Sequence, residues 1–324
     1  MQQIVTADIG GTHARFAVAA LDGNQVKVGE PVTLKTCEHV TFEDAWQQFR
    51  RCSGTNLPKH LAAAVAGPVA GNDLSLTNSQ WRFNREQILG RLNLDSILLV
   101  NDLGAVAHAL SAIDEDSLVG LAGPDDPLPA QGVVTVIGPG TGLGAALLVR
   151  RSRQDYDVIE TEAGHMDFAA LDAVEDRIVG ELRKTFRRVS VERLVSGPGL
   201  RNIYDVLGRF QGGQAMIGDD AELWSAALQG TDRLAAVALD RLCMCLGAVA
   251  GDLALAQGAS AVVVAGGVGR RLQERLCKSG FADRFIAKGR FERRLAAMPV
   301  KLITYPEPGL LGAAVAFARR YRSD

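Results

Sequence analysis

Residues 4–18 read IVTADIGGTHARFAV, and residues 133–147 read VVTVIGPGTGLGAAL. Each stretch predicts two strands joined by a tight turn, because apolar runs flank glycines that let the backbone turn sharply or let a ligand come close. We call Gly10–Thr12 the first Gly-Thr turn and Gly140–Gly142 the second. Their N–H groups and threonine hydroxyls suit phosphate oxygens. One such hairpin is weak support, but the same layout in both halves predicts two lobes that hold one polyphosphate between them.

The composition fits a two-domain protein with no electrostatic attraction for nucleic acid. The 324 residues are 47% hydrophobic, enough to fill two cores, and the formal net charge is −2. Without a basic block, we expect neither nucleic acid nor an anionic membrane surface as a partner. The five cysteines are odd in number and scattered, which is typical of reduced thiols. The N-terminus shows no signal-peptide pattern, so we expect a cytoplasmic protein.

The first third of the chain indicates an α/β layer with a mixed sheet. We predict strands at 3–9, 14–20, 26–34, 61–66 and 96–100, and helices at 42–52, 84–92 and 103–111. Adjacent strands followed by alternating helices and strands are typical of such a layer. Residues 114–132 are rich in Asp, Gly and Pro and predict a linker.

The second half repeats this plan with more helix. We predict two strands from 133 onward, a strand at 155–160, helices over 171–257, a strand at 261–265 and a helix at 268–277. The apolar pattern near 232–257, with Gly247 and Gly251, predicts a central buried helix, and a role in subunit contact is the alternative. The linker signals before the last helix, 309–322, indicate that it crosses back onto the first lobe. We therefore predict a small domain, 1–112 plus 308–324, and a large domain, 113–307.

Asp8 ends the first strand beside the first Gly-Thr turn. A carboxylate there would repel phosphates unless a cation lay between them. Asp8 is therefore interpreted as a direct or water-mediated Mg²⁺ partner. The alternative is an aspartate that only stabilises the turn.

The glycine patterns do not match two common nucleotide motifs. No Lys-Ser or Lys-Thr follows the glycines as in a P-loop. The dinucleotide fingerprint should open a helix, whereas residues 14–20 predict a strand. Residues Ala265–Gly269 form a strand-to-helix junction that would let a flat ligand lie against bare backbone. The alternative is that these glycines serve only close packing of strand and helix.

Asn101 and Asp102 follow the predicted strand 96–100, where open α/β sheets bind their ligands. An aspartate at such a strand end could accept a hydroxyl proton and orient the oxygen for attack. Asp102 could equally be the N-cap of the helix at 103–111. The sequence leaves both interpretations open.

Residues 160–167 read ETEAGHMD, and such a polar loop could bind sugar hydroxyls or simply be solvated. For Glu192 the structural interpretation leads, in which Ser190 caps a helix and Arg193 pairs with a carboxylate. Metal binding by Glu162, His165 and a cysteine is not expected. Cys243 and Cys245 lie on different faces of an apolar helix, so we predict that both are core residues.

With these residues assembled, the chain closely resembles the bacterial glucokinases of the hexokinase-actin-Hsp70 ATPase superfamily. The resemblance runs almost end to end. Its phosphate and adenosine motifs are similar to ADIGGT (7–12), GPGTGLG (138–144) and VAGGV (264–268). Its sugar-site motifs are similar to LTNSQW (76–81), Asn101-Asp102, EAGHMDF (162–168) and SVERLVSGPGL (190–200).

The resemblance implies an α/β fold of two ribonuclease-H-like, actin-like ATPase lobes with an interlobe cleft. It implies ATP-dependent transfer to the 6-hydroxyl of glucose, at the first step of glycolytic glucose use. Asp102 would be the base and Asp8 the Mg²⁺ residue. The implied sugar contacts are Asn78, Asn101, Asp102, Glu162, His165 and Glu192. The implied nucleotide contacts are Ala7, Asp8, Ile9, Gly10, Gly11, Thr12, Gly140, Thr141, Gly142, Gly266 and Gly267.

Two departures from the family pattern affect the phosphate loops: His13 replaces an expected asparagine, and Pro139 a small residue. The resemblance also implies a homodimer. The alternatives are a kinase for another hexose and a non-catalytic sugar-binding regulator on the same fold. The regulator is disfavoured because Asp8, Asp102 and both Gly-Thr turns are present. The cysteine-rich zinc motif of the related repressor-and-kinase family is missing, and a repressor would need a DNA-binding extension that we do not expect here.

Overall fold

The computed structural model describes residues 1–23, 25–67, 69, 73–75, 81–210 and 216–321. The chain divides into two compact units. Met1–Asp114 and Tyr305–Asp324 form one, which we call the small unit, and Glu115–Thr304 form the other, the large unit. Each unit has its own six-stranded sheet.

The strands of the small unit come first along the chain. They are β1 (Gln2–Ile9), β2 (His13–Asp22), β3 (Gln25–Val28), β4 (Val32–Lys35), β5 (His60–Val65), β6 (Asp73–Ser75), β7 (Arg82–Asn84) and β8 (Ser96–Asn101). Those of the large unit are β9 (Leu118–Ala122), β10 (Gly132–Pro139), β11 (Leu143–Arg150), β12 (Tyr156–Thr161), β13 (Ala261–Val264) and β14 (Val300–Ile303).

The helices connect these strands and cover both sheets. Those of the small unit are α1 (Phe42–Ser53), α2 (Arg85–Leu92), α3 (Asp102–Ala109) and, from the end of the chain, α12 (Pro308–Arg320). Those of the large unit are α4 (Ala173–Phe186), α5 (Gly197–Phe210), α6 (Asp220–Gln229), α7 (Arg233–Ala256), α8 (Gly266–Arg271), α9 (Gln273–Leu276), α10 (Phe281–Ile286) and α11 (Glu292–Ala296).

The small unit has its strands in the order β3-β2-β1-β5-β8, and β4 also pairs with β2. β1 is antiparallel to β2 and parallel to β5, which is parallel to β8. Aromatic side chains that include Phe16, Phe42, Trp46 and Phe49 pack into one core cluster, where their rings contact one another. Ala313, Ala314 and Phe317 of α12 belong to a second cluster with residues of β1, β5 and β8.

The large unit repeats this strand order with β12-β11-β10-β13-β14, and β9 is added at the β14 edge. In each unit one long strand separates the two kinds of pairing. β1 is antiparallel to β2 and parallel to β5, and β10 is antiparallel to β11 and parallel to β13. Both sheets therefore present the carboxyl ends of several strands at one edge. That edge is where open α/β sheets bind ligands.

Helix α7 is the central buried helix that the apolar pattern predicts. Cys243 and Cys245 are fully buried in it, as predicted. A Cβ on Gly247 or Gly251 would come within 2.2 or 2.4 Å of the carbonyl oxygen of Phe281 or Phe285, so α7 and α10 pack backbone to backbone. In the described part of the chain, this one helix is long and apolar enough to cross a membrane, but 67% of its most apolar window is buried in the protein, as in core helices.

Several element predictions differ from the structure. The strand predicted at 26–34 is two strands, because Gly29-Glu30-Pro31 interrupts it and proline cannot donate to the ladder. The linker predicted at 114–132 contains β9, which pairs with β14, a strand that the sequence reading missed. The helix predicted at 268–277 is divided into α8 and α9 at Leu272.

Candidate functional site

The small unit places its predicted site residues at one edge of its sheet. Ile9 of β1 lies opposite Val65 of β5, which lies opposite Asn101 of β8. Two strand spacings separate Ile9 from Asn101, which is about 10 Å. Asp8 and Asp102 are the neighbours of these two residues. The candidate metal residue and the candidate base therefore lie at the same edge.

The first Gly-Thr turn is closed by its own backbone. The Gly10 N–H donates to the carbonyl of His13 over 2.9 Å. Thr36 supports the turn from outside: its hydroxyl donates to the Gly11 carbonyl at 2.7 Å, and its N–H donates to the Thr12 carbonyl at 3.0 Å. The backbone and Thr36 therefore close the turn, and the role of Asp8 beside it remains a prediction.

Asp8 lies in a charged setting that the sequence reading missed. The Asp8 Oδ2 is 4.0 Å from Nη1 of Arg15, and the Nε of Arg15 is 2.9 Å from Oε2 of Glu307. Burial raises the pKa of Asp8 from 3.8 to about 6, although Arg15 opposes this shift. In the sequence, only the presence of a charged residue within an otherwise apolar strand sets Arg15 apart. The partner Glu307 lies too far along the chain to have been found.

The structure decides the N-cap interpretation of Asp102. The N-cap of α3 is Asn101, whose Oδ1 accepts from the N–H groups of Leu103 and Gly104 at 3.0 and 3.2 Å. Asn101 also donates from Nδ2 to the Gly67 carbonyl at 3.3 Å. Asp102 is the first residue of α3, and its Oδ1 accepts from the N–H of Leu103 at 2.8 Å. The N-cap interpretation of Asp102 is therefore wrong, because Asn101 holds that position. Its role as a base remains a prediction.

In the large unit, the second Gly-Thr turn follows β10 and borders the glycines after β13. Ile137 and Val264 lie opposite each other in these parallel strands. Gly266 has φ +80, and a Cβ on it would come within 2.7 Å of the Pro139 carbonyl oxygen. Gly267 has open space around it. Gly266 is thus required for packing, and Gly267 leaves backbone exposed to a ligand.

Glu162, His165 and Glu192 lie together in the large unit. Nδ1 of His165 is 3.6 Å from Oε1 of Glu192, and its Nε2 is 3.9 Å from Oε2 of Glu162. Both distances exceed a normal hydrogen bond. Two backbone bonds hold the segments together: the N–H of Phe168 donates to Val189 and that of Val191 to Met166. We call Glu162, His165 and Glu192 the carboxylate-imidazole cluster.

The structure contradicts the leading structural interpretation of Glu192. Ser190 makes no side-chain cap bond. The guanidinium of Arg193 lies 4.2 Å from the centre of the Phe186 ring, so it stacks on an aromatic ring where the sequence reading paired it with a carboxylate. Neither Ser190 nor Arg193 therefore gives Glu192 the predicted structural role. The Glu192 side chain lies against the second Gly-Thr turn.

Loops of the cluster contact this turn and the start of β11 at three points. The N–H of Gly197 donates to the Gly140 carbonyl at 2.7 Å. A Cβ on Gly142 would come within 2.7 Å of Oε2 of Glu192, and a Cβ on Gly164 within 2.0 Å of the Leu143 carbonyl oxygen. Thr161, which pairs with Ala145 of β11, ends β12 at the same edge and leads directly into Glu162. Glycines 164 and 197 were missed as structural residues, although both stand inside the quoted motifs.

The remaining predicted residues have less direct support. Ala7 and Ile9 are fully buried in the small-unit core, so only their backbone could reach a nucleotide. Thr12 and Thr141 are both exposed at the tips of their turns. Asn78 lies outside the described residues.

The chain is similar to known glucokinases along almost its whole length. A sequence model of the glucokinase family matches residues 5–320. A glucokinase from Zymomonas mobilis is 53% identical over 320 residues, 98% of each chain. The crystal structure of a glucokinase from an Antarctic psychrotroph is 32% identical, with a TM-score of 0.84 over 98% of this chain and 99% of that one. A glucokinase of the ROK family from Streptomyces griseus, solved with glucose and AMPPNP, shares the fold at 21% identity, with a TM-score of 0.65 over 98% of this chain and 99% of that one.

Proposed function

The chain belongs to the glucokinase family and phosphorylates glucose; we propose that ATP is the donor and the 6-hydroxyl the acceptor. The products are then glucose 6-phosphate and ADP. The observation that carries this proposal is the carboxylate-imidazole cluster beside the second Gly-Thr turn, because it joins sugar-binding and phosphate-binding groups in one unit. The AMPPNP in the Streptomyces enzyme supports the choice of donor.

Glucose binding would rest on groups that accept and donate hydrogen bonds. The carboxylates of Glu162 and Glu192 accept from sugar hydroxyls, and the imidazole of His165 between them contributes a donor or an acceptor. Hydrogen bonds to charged groups contribute about 1.5–3 kcal/mol each. Three such groups on two linked loops would fix the orientation of one sugar.

Phosphoryl transfer would depend on Asp102. Its carboxylate accepts the proton of the 6-hydroxyl while that oxygen forms a bond to the γ-phosphorus. The bond from the γ-phosphorus to its bridging oxygen breaks, and ADP leaves with the electron pair. This reaction needs positioning and charge neutralisation more than covalent help.

The residues present fit Mg²⁺ as a partner of Asp8. This carboxylate forms an ion pair with Arg15 at 4.0 Å, which is longer than a hydrogen bond. Among the described residues, no group of three or more His, Cys, Asp or Glu side chains could hold a metal alone. A single carboxylate matches Mg²⁺, which keeps several waters and binds largely through substrate phosphates. Bound there, Mg²⁺ would neutralise charge on the phosphate oxygens, and Arg15 and Glu307 would fix Asp8.

We extend the proposal to architecture and setting. The repeated strand order supports a ribonuclease-H-like fold for each unit, as in actin-like ATPases. We further propose a cytoplasmic homodimer that acts at the first step of glycolytic glucose use, on the strength of the family resemblance.

A product analysis across hexoses tests the proposed function. Glucose, mannose, fructose and N-acetylglucosamine are each incubated with ATP and Mg²⁺, and the products are identified by ³¹P and ¹³C NMR. We expect glucose 6-phosphate and ADP in equal amounts, with kcat/KM for glucose above that for the other sugars. A product phosphorylated elsewhere, or a clear preference for another hexose, would overturn the proposal. Glucose binding without ADP release would instead support a non-catalytic regulator.

A further inference from the structure

The carboxylate of Glu192 occupies the space that a side chain on Gly142 would need. A Cβ on Gly142 would lie 2.7 Å from Oε2 of Glu192 and 3.8 Å from its Cδ. Real Cβ atoms do not approach an oxygen this closely, so a side chain there must displace the glutamate. Gly140, two residues earlier on the same turn, has nothing within 4 Å of its Cβ position. The two glycines of one turn therefore have different reasons to be glycine.

Glu192 is also held from its backbone side. The Ser196 hydroxyl donates to the Glu192 carbonyl at 2.6 Å and accepts from the Gly199 N–H at 3.1 Å. The side chain of Glu192 is about one-fifth exposed. The backbone of Glu192 is therefore held in place, while its side chain is partly exposed. Gly142 limits the space that its carboxylate can occupy.

We propose that Gly142 positions Glu192 for the sugar and so couples the sugar site to the phosphate turn within the large unit. This inference rests on the proposed function, because it assigns Glu192 to glucose and the second Gly-Thr turn to phosphate. When the second Gly-Thr turn moves on binding phosphate, Gly142 moves with it and shifts the carboxylate of Glu192 that lies against it. Glucose drawn to Glu192 favours one position of the turn. Such coupling is reciprocal, so each ligand strengthens binding of the other.

Glucose binding measured by calorimetry without nucleotide tests the positioning role. Neither Gly140 nor Gly142 has a positive φ, so alanine is not strained at either position. We expect Gly142→Ala to weaken glucose binding about tenfold, the loss of roughly one hydrogen bond to a charged group. Gly140→Ala, the matched control on the same turn, should change glucose binding in this nucleotide-free measurement by less than about twofold. Equal effects of the two alanines on glucose binding would overturn the proposal.

A conservative partner variant separates positioning from general damage. Glu192→Asp is shorter by one methylene and leaves room for a Cβ at position 142. On that background, Gly142→Ala should cost less than about twofold in glucose affinity, because the two residues no longer compete for space. An undiminished loss in the double variant would contradict direct contact. If Gly142→Ala alone does not fold, the double variant should fold, and its failure to do so would also contradict the inference.

Two further measurements complete the test. Glucose should raise ADP affinity in the wild type, and Glu192→Asp should reduce that enhancement severalfold; an unchanged enhancement would contradict the coupling. Glu192→Gln tests the proposed function separately. If Glu192→Gln leaves glucose binding intact, the assignment of this glutamate to the sugar is wrong. If Glu192→Gln weakens glucose binding and Gly142→Ala does not, only the positioning role is wrong.

Discussion

The carboxylate of Asp8 lies against Gly309 at the start of α12: a Cβ on Gly309 would lie 2.7 Å from both Cγ and Oδ2 of Asp8. Gly142 and Glu192 show the same relationship in the large unit. In both units, an acidic side chain of the candidate site rests where a glycine has no side chain. The position of α12 is fixed nearby, because the Thr6 hydroxyl donates to the Leu310 carbonyl at 2.7 Å.

Gly309→Ala should therefore disturb magnesium use. The added methyl group displaces Asp8, so we expect the half-saturating Mg²⁺ concentration to rise by about three- to tenfold, equivalent to roughly 1 kcal/mol. Glucose binding measured by calorimetry should be unchanged. Gly90→Ala is the matched control, since Gly90 is helical and has open space around its Cβ position. Normal Mg²⁺ dependence in Gly309→Ala would show that Asp8 does not hold the metal.

Glu162→Gln should raise KM for glucose more than KM for ATP. The amide keeps the shape of the side chain but loses its charge, and a charged hydrogen bond of about 1.5–3 kcal/mol corresponds to a change of roughly ten- to a hundredfold. Steady-state kinetics with each substrate varied in turn measures both constants. Equal increases in the two constants would remove Glu162 from the sugar site.

His108 of α3 should make the protein less stable in acid. Burial, reinforced by the charge of Arg319, lowers its pKa from 6.5 to about 4. The unfolded chain therefore binds more protons between these values, and stability is full above about pH 6.5 and falls as the pH drops toward 4. His108→Gln should remove about 2 kcal/mol of that fall, as measured by urea unfolding at pH 7.5 and pH 4.5. An identical loss in wild type and variant would contradict this assignment.

Glu175 anchors a buried charge cluster in the large unit. Its side chain is fully buried and pairs with Arg241 at 3.1 Å and with Arg284. Its removal leaves two largely buried guanidinium groups without this partner, so Glu175→Ala should cost about 3–5 kcal/mol in the free energy of unfolding. Glu181 of the same helix makes a surface pair with Lys184, and Glu181→Ala should cost less than about 1 kcal/mol. Similar losses in the two variants would contradict the structural role of the cluster.

Local patterns predicted much of the fold. Apolar runs and glycine spacing predicted the two Gly-Thr turns, the strands around them and the buried helix α7. The strands β9 and β14 were missed for a physical reason: each has four or five residues, and their pairing joins segments about 180 residues apart. The structure of such a short strand depends on its pairing partners more than on its own sequence.

The sequence predicted which residues belong to the candidate site, but not which residues contact one another there. Asp8, Asp102 and Glu162 stand in recognisable motifs. The rest of the setting depends on residues brought together by folding, such as Arg15 with Glu307, or Gly142 with Glu192. Asn101 and Asp102 are both suitable N-cap residues for α3 by residue type. Only the backbone geometry shows that Asn101 is the N-cap.

Turnover and glucose binding of Asp102→Asn, measured on the same preparation, test the central claim most directly. Asparagine keeps the size of the side chain but cannot accept the proton of the 6-hydroxyl. We expect kcat to fall by at least about 10²-fold, in the range that general bases supply. Glucose affinity measured by calorimetry should change by less than about threefold. Near-normal turnover with intact glucose binding would show that another group takes the proton and would contradict the account.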